Sequence, residues 1–463
     1  MLGDVIAAVS TPMGRGGVAV LRISGEGALE VCERVFAPKN GKRLSELPPR
    51  YAAYGEISMR EENGERSVID DGIATVFRAP ASFTGEDTVE ICCHGGILLT
   101  QTVLSALLCE GARPAEAGEF TKRAFLNGKL GLSAAEALAN LLEAQTREQI
   151  LLAHSTVGGR TRRACESIYA DLRRTLASVY ACIDYPEEDL AEMSREEIVE
   201  ALSESEKKIH ELSESYRTGH AVAEGIKTVI CGKPNVGKSS LYNRILGREA
   251  AIVTDVQGTT RDVLTETAAL GKVTLRLSDT AGLRSTEDRV EQIGIARAKD
   301  ALSNAELVLA LFDASIEPDG EDLELCEELC GATAPVIALL NKCDRGEGAY
   351  ADFYRERFAS TLSVSAQTGA GMEELQALVE SLFIDGKLDL RSDPVLSNAR
   401  QQASAINARD SLREALQALE AGYPVDVCCT SVENAMAELG ELDGRAVSED
   451  LVSEIFSHFC VGK

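Results

Sequence analysis

The sequence predicts a multidomain protein of mixed α+β and α/β class: an N-terminal mixed α/β domain, a helical domain, and a mostly parallel α/β domain inserted into the helical one. Three observations predict it. Residues 1–117 are rich in Gly and β-branched residues, with runs such as GGVAVLRISG and GIATVFRAP bounded by turn signals. Over 118–215 apolar residues recur at helical spacing, as in AAEALANLLEAQTREQILLAH and REEIVEALSESEKKIHELSESY. Strands and helices then alternate over 216–383, the pattern of a parallel sheet, before helical texture returns over 384–463. Helical stretches on both sides of the α/β segment imply insertion, which is tolerated because domain termini lie close together.

Composition narrows the function classes. The 463 residues exceed one hydrophobic core, and 44% hydrophobic with 26% charged residues is the balance of a globular chain. Lys plus Arg number 47 against 74 Asp plus Glu, a net charge of −27, so a global basic surface for nucleic acid is not expected. No apolar run approaches the roughly 20 residues of a membrane helix, so no membrane is expected as a partner. The N-terminus lacks the pattern of a secretion signal. The 13 cysteines are odd in number and include no C-x-x-C pair, which fits a reducing cytoplasm.

The first chemical motif is Gly232-x-x-x-x-Gly237-Lys238-Ser239, after the strand IKTVI and before a helix starting near Ser239. Its glycines let backbone N–H groups of Asn235, Val236, Gly237 and Ser240 curl around a phosphate at a helix N-terminus. Lys238 reaches the β- and γ-phosphates, and the Ser239 hydroxyl holds Mg²⁺. Downstream, DTAGL places Asp279 to hold Mg²⁺ through water, with Thr280 and Ala281 leading to the Gly282 N–H for a γ-phosphate. Asn341-Lys342-x-Asp344 ends a strand. A carboxylate at Asp344 accepts from both N1–H and the exocyclic amine of guanine, a pair adenine does not offer, and such sites discriminate by about 10⁴-fold. The Ser365–Ala366 backbone would close over the base. Thr260 in QGTTRD would complete the Mg²⁺ shell. The substrate is therefore expected to be GTP.

One departure is informative. Leu283 stands where many GTPases carry a water-orienting Gln, and leucine cannot position water. Glu291 is the attractive replacement, with Glu287 and Asp288 in the same stretch. The charge of a missing arginine finger must also be supplied. Asn235 and oxygens of Thr254 to Thr259 are placed for a monovalent cation.

With these motifs stand TPMGRGGVAVLRISG, SFTGEDTVEICCHGG, GEFTKRAFLNGKL, DVQGTTRD and the terminal FSHFCVGK. Together they resemble the MnmE (TrmE) family of tRNA-modification GTPases, from residue 6 to the last residue. The resemblance implies a folate-binding-like N-terminal dimerisation domain (1–117), a helical domain (118–215 and 384–463) and an inserted Ras-like GTPase domain (216–383). It implies a homodimer forming a heterotetramer with the FAD protein MnmG (GidA). That complex would form the aminomethyl-type modification at carbon 5 of wobble uridine in certain tRNAs. A 5-formyl- or methylene-tetrahydrofolate would supply the one-carbon unit.

On matching positions, K⁺ would be held by Asn235, Thr254, the Val256 carbonyl and Thr259, and Mg²⁺ by Ser239 and Thr260. Glu291 would orient the attacking water. Folate contacts would fall on Arg22, Glu90, Lys129 and Lys463, residues whose bland reading is surface ion pairing. Cys460 would lie near the folate and is counted as catalytic, as nucleophile or acid. His94 reads as a structural histidine in a turn. Met13, Gly131, Arg445 and Val461 depart from the family pattern without removing a proposed ligand. The GTPase motifs alone fit a rival equally well, a regulatory GTPase assembling an RNA particle without folate chemistry.

Overall fold

The computed structural model describes residues 4–184, 193–247, 265–278, 302–313, 315–346, 350–444, 449–457, 459 and 462. The chain forms two units, one joining Met1–Ala139 to Gly440–Lys463, the other Asn140–Leu439.

The first unit is built on a seven-stranded sheet of order β3-β4-β5-β6-β2-β1-β7. The strands are β1 (Ile6–Val9), β2 (Val18–Ser24), β3 (Phe36–Pro38), β4 (Ala52–Arg60), β5 (Arg66–Phe77), β6 (Thr88–His94) and β7 (Arg113–Pro114). Alternation along β2 and β6 sorts their side chains by face. Ala19, Leu21 and Ile23 with Val89, Ile91 and Cys93 enter the main core under helices α1 (Ala28–Val35) and α2 (Ile97–Cys109). Arg22 and Glu90, register partners on these antiparallel strands, therefore share the opposite face. A smaller cluster of Ile6, Ala8, Ala115 and Phe120 forms there, with Phe83 against it. Phe120 comes from α3 (Glu119–Leu126).

The two segments of this unit pack together. Phe456 and Phe459 pack with Leu132 and Ala135 of α4 (Leu132–Glu143), with Phe125 alongside. Gly118, at φ 65°, permits the approach: a Cβ there would stand 2.6 Å from the Phe456 carbonyl oxygen. Ser10 Oγ donates to the Gly462 carbonyl at 3.1 Å. An ionic knot around the buried Arg123 fixes α3 to β1's entry. Arg123, its side chain 3% exposed, lies 2.6 Å from Asp4, 3.1 Å from Glu86 and 3.0 Å from Glu119.

The second unit contains a six-stranded sheet of order β13-β12-β11-β8-β10-β9, parallel except for β9 against β10. Its strands are β8 (Ile226–Gly232), β9 (Thr265–Leu270), β10 (Val273–Ser278), β11 (Leu307–Asp313), β12 (Val336–Asn341) and β13 (Ser360–Ser363). All seven residues of β11, LVLALFD, are buried, as a strand covered on both faces requires. Leu309 and Leu311 meet the cluster containing Leu241 and Leu375. Val308, Ala310 and Phe312 meet Cys326, Leu329 and Tyr354 on the other side.

Helices α5 (Arg147–Val157), α6 (Arg160–Asp184), α7 (Arg195–Glu214) and α8 (Tyr216–Ala223) precede the sheet, and Ala399–Glu420 and Cys429–Asp443 follow it. Thr146 and Ser194 open α5 and α7 through capping boxes with Gln149 and Glu197. Helix α8 joins helices to sheet: Thr218 Oγ1 donates to Phe383 O at 3.3 Å, and His220 Nε2 lies 2.8 Å from Glu306, next to β11. His220 Nδ1 is 3.4 Å from Glu224. Burial opposes charge on this ring, but the two carboxylates outweigh it and raise its pKa to about 9.

Two predictions follow from these ion pairs. Arg123→Met removes the buried cation shared by Asp4, Glu86 and Glu119, with Arg113 still paired to Asp4 and Glu119, and lowers stability by about 1–3 kcal/mol, read from the urea midpoint. His220 is protonated more readily folded than unfolded, so its stabilisation is full below about pH 6.5 and lost as pH rises through about 9. His220→Gln therefore flattens the melting temperature between pH 6.5 and 9, whereas an unchanged slope removes the assignment.

Candidate functional site

The phosphate loop turns between β8 and α9 (Lys238–Gly247), so the helix begins at the lysine rather than the serine. Two glycines are required sterically. A Cβ on Gly232 (φ 144°) would stand 2.5 Å from Leu311 O, and one on Gly237 (φ 106°) 2.2 Å from Asn341 Nδ2. Asn235 takes the left-handed conformation at φ 63° with its side chain exposed, and Val236 is buried beneath the loop. Ser239 and Ser240 lie exposed in the first turn of α9, the end that favours anions.

Lys238 Nζ curls into the loop, donating to Gly232 O at 2.7 Å and Lys233 O at 2.8 Å. Burial lowers its pKa, so an anion at this position gains a cation already stripped of part of its water. Lys233 tethers the same loop sideways, 2.6 Å from Asp322 and 2.7 Å from Asp319. Asp319 is the N-cap of the helix Gly320–Cys330.

The base end is assembled by Asn341, the last residue of β12. Its Nδ2 donates to Val236 O at 2.7 Å and its Oδ1 accepts from Ala366 N at 3.0 Å. One amide thus ties the phosphate loop to the Ser365–Ala366 loop. Lys342, at φ 69°, turns the chain and pairs with Asp313 at 2.6 Å. Ser365 Oγ donates to Asp344 Oδ1 at 2.6 Å, while Asp344 itself is exposed. A carboxylate held by one oxygen and open to solvent fits the two donors of a guanine edge.

In the first unit, Arg22 and Glu90 face each other across β2 and β6 at 2.8 Å. The Arg22 guanidinium lies 5.1 Å from the Phe83 ring and 5.8 Å from that of Phe120. Lys129 Nζ, exposed, donates to Pro80 O at 2.8 Å. Gly462 (φ 96°) brings the C-terminal segment to β1: a Cβ there would stand 2.3 Å from Val9 O. Ala8, beside Val9, is the register partner of Arg22. His94 is the last residue of β6 and lies 2.7 Å from Asp70.

Thr254, Val256, Thr259, Thr260, Asp279, Thr280, Ala281, Gly282, Glu291, Cys460 and Lys463 lie outside the described residues. Sequence reasoning missed the Asn341 bridge, the Lys233 tether and the Arg123 knot. Only the first had a usable signal, an amide at a strand end facing a second loop.

With the phosphate cradle and both base-end loops on one mostly parallel sheet, the second unit holds a phosphate-loop GTPase domain. The family model "MnmE helical domain" matches residues 132–460, and "GTP-binding protein TrmE N-terminus" matches 5–129. The tRNA modification GTPase MnmE of Lactococcus lactis subsp. cremoris is 41% identical over 461 residues, 99% of this chain and 98% of that protein. MnmE of Clostridioides difficile is 39% identical over 468 residues, with full coverage of both. The structure of Aquifex aeolicus Era bound to GDP.AlF4- covers 40% of this chain and 66% of its own, at 25% identity and a TM-score of 0.28, too partial a likeness to bear on function. The chain belongs to the MnmE family of tRNA modification GTPases. Among the described residues no helix is long and apolar enough to cross a membrane.

Asn341→Ala cuts both hydrogen bonds of the bridge and is expected to weaken GDP binding about tenfold or more, measured by displacement of a fluorescent GDP analogue. Binding at wild-type strength would show that the two loops hold their geometry without it.

Proposed function

We propose that the protein is a potassium-dependent GTP hydrolase. It works as a homodimer and, with the flavoprotein MnmG (GidA) in a heterotetramer, forms the aminomethyl-type modification at carbon 5 of wobble uridine in certain tRNAs. What carries the nucleotide-binding part of the reading is the Asn341 bridge, which sets phosphate loop and base loop at a fixed separation, as a nucleoside diphosphate with its base demands.

Lys238 moves from the loop carbonyls to the β- and γ-phosphates. The Asp344 carboxylate and the Ser365–Ala366 backbone select guanine. Ser239 and Thr260 hold Mg²⁺; Asn235, Thr254, Val256 and Thr259 hold K⁺. These ions neutralise the charge that an arginine finger would meet elsewhere. The exposed, left-handed Asn235 is consistent with a ligand offered outward from the loop. Glu291 orients the attacking water, since Leu283 cannot.

The tetrahydrofolate derivative would be held in the first unit, where it supplies a one-carbon unit. The polar pair Arg22–Glu90 beside two phenylalanine rings suits a flat heterocycle with a hydrogen-bonding edge. Lys129 and Lys463 would meet the carboxylates of its glutamate tail. Cys460 would stand near the transferred carbon.

GTP turnover is expected to be at least about tenfold faster in KCl than in NaCl at equal ionic strength. Saturating 5-formyl-tetrahydrofolate should raise the melting temperature, since a ligand held only by the folded state adds about 2.7 kcal/mol at a hundred times its Kd. Equal rates in both salts would remove the K⁺ set, and no thermal shift would favour a GTPase without folate chemistry.

A further inference from the structure

Helix α9 does two jobs. Its first turn offers Lys238, Ser239 and Ser240 to phosphates, and farther along the same helix Arg244 reaches the base-end loop. Arg244 Nε donates to Ala366 O at 3.1 Å, and its Nη2 donates to Gln367 O. The guanidinium fork thus holds two successive carbonyls of the loop that follows β13. Ala366 is buried and Gln367 exposed, so the fork fixes the loop where it passes from core to surface.

The rest of the loop is arranged around this hold. Ser365 N donates to Ala370 O at 2.9 Å, Gly369 N to Ser365 O at 2.8 Å, and Thr368 N to Ser365 Oγ at 3.2 Å. Ser365 Oγ in turn donates to Asp344 Oδ1 at 2.6 Å. A shift of Ala366 and Gln367 would therefore move Ser365, and Ser365 sets the rotation of the Asp344 carboxylate. Asn341 grips the loop by its N–H on one side, and Arg244 grips its carbonyls on the other.

From this geometry we infer that Arg244 is a specificity-determining positioning residue: by gripping the Ala366 and Gln367 carbonyls it fixes the Asp344 carboxylate for the exocyclic amine of guanine. The inference rests on the GTPase reading of this site. The competing role for a cation here is to favour the C-terminal half of α9 through the helix dipole, which any positive charge performs. A lysine keeps that charge and lacks the fork, so the two roles separate.

The test compares GDP with inosine diphosphate, which lacks only that amine, on the full-length protein. Affinities are read by displacement of a fluorescent GDP analogue, with pyrophosphate competition reporting the phosphate end alone. In Arg244→Met the preference for GDP over inosine diphosphate is expected to fall about fivefold to tenfold, with pyrophosphate binding unchanged. Arg244→Lys should recover the wild-type melting temperature without recovering the preference. The inference is overturned if the preference is unchanged in Arg244→Met, if lysine restores it fully, or if GDP and pyrophosphate weaken together. Should the wild type show no preference for GDP over ATP, the GTPase reading itself fails instead.

Discussion

A single side-chain amide does more for this site than any other group. Asn341 is buried, and each half of its amide is spent on backbone: the nitrogen on Val236, the oxygen on Ala366. Backbone partners do not rotate away, so the bridge converts two flexible loops into one rigid recess. The steric requirement at Gly237, where any Cβ would strike this same amide, shows how closely the loops are drawn together. The mostly parallel sheet serves this purpose. Strands β8 and β12 flank β11, whose every residue is buried, and both deliver their C-terminal ends to the same edge.

Charge is handled in two ways. In the second unit, cations near the phosphate loop are held by partners that an anion can replace or complement: Lys238 by carbonyls, Lys233 by surface-facing Asp319 and buried Asp322. In the first unit, Arg123 is committed to three carboxylates with almost no solvent contact. Arg22 stands between these extremes, half in the apolar cluster and half paired with Glu90. Partial commitment of this kind lets a group serve structure and still exchange partners with a bound molecule.

The alternation of strands and helices, the phosphate loop and the base-end motifs were legible in the sequence because each depends on neighbours a few residues away. The glycine spacing of the phosphate loop needed no tertiary knowledge. The Arg22–Glu90 encounter was less accessible, since both residues could be singled out but the register that opposes them comes from strand pairing 68 residues apart in sequence. The grip of Arg244 on Ala366 and Gln367 was not accessible at all. Carbonyl groups are present at every position, so a side chain that binds them leaves no mark on the composition of its target. The observed helix start at Lys238 lies within one residue of the start expected near Ser239.

The first unit joins two segments separated by about 300 residues of sequence, Met1–Ala139 and Gly440–Lys463, and this shapes the order in which it can be completed. Its sheet and α3 are synthesised before residues 140–439, but the faces that receive Phe456, Phe459 and Gly462 wait until the segment after 439 has been synthesised. Residues 140–439, a whole nucleotide-binding unit, must emerge in the interval. Completion of the first unit is thereby deferred until residues 440–462 have been made, and a chain that stops before them leaves an apolar seam open.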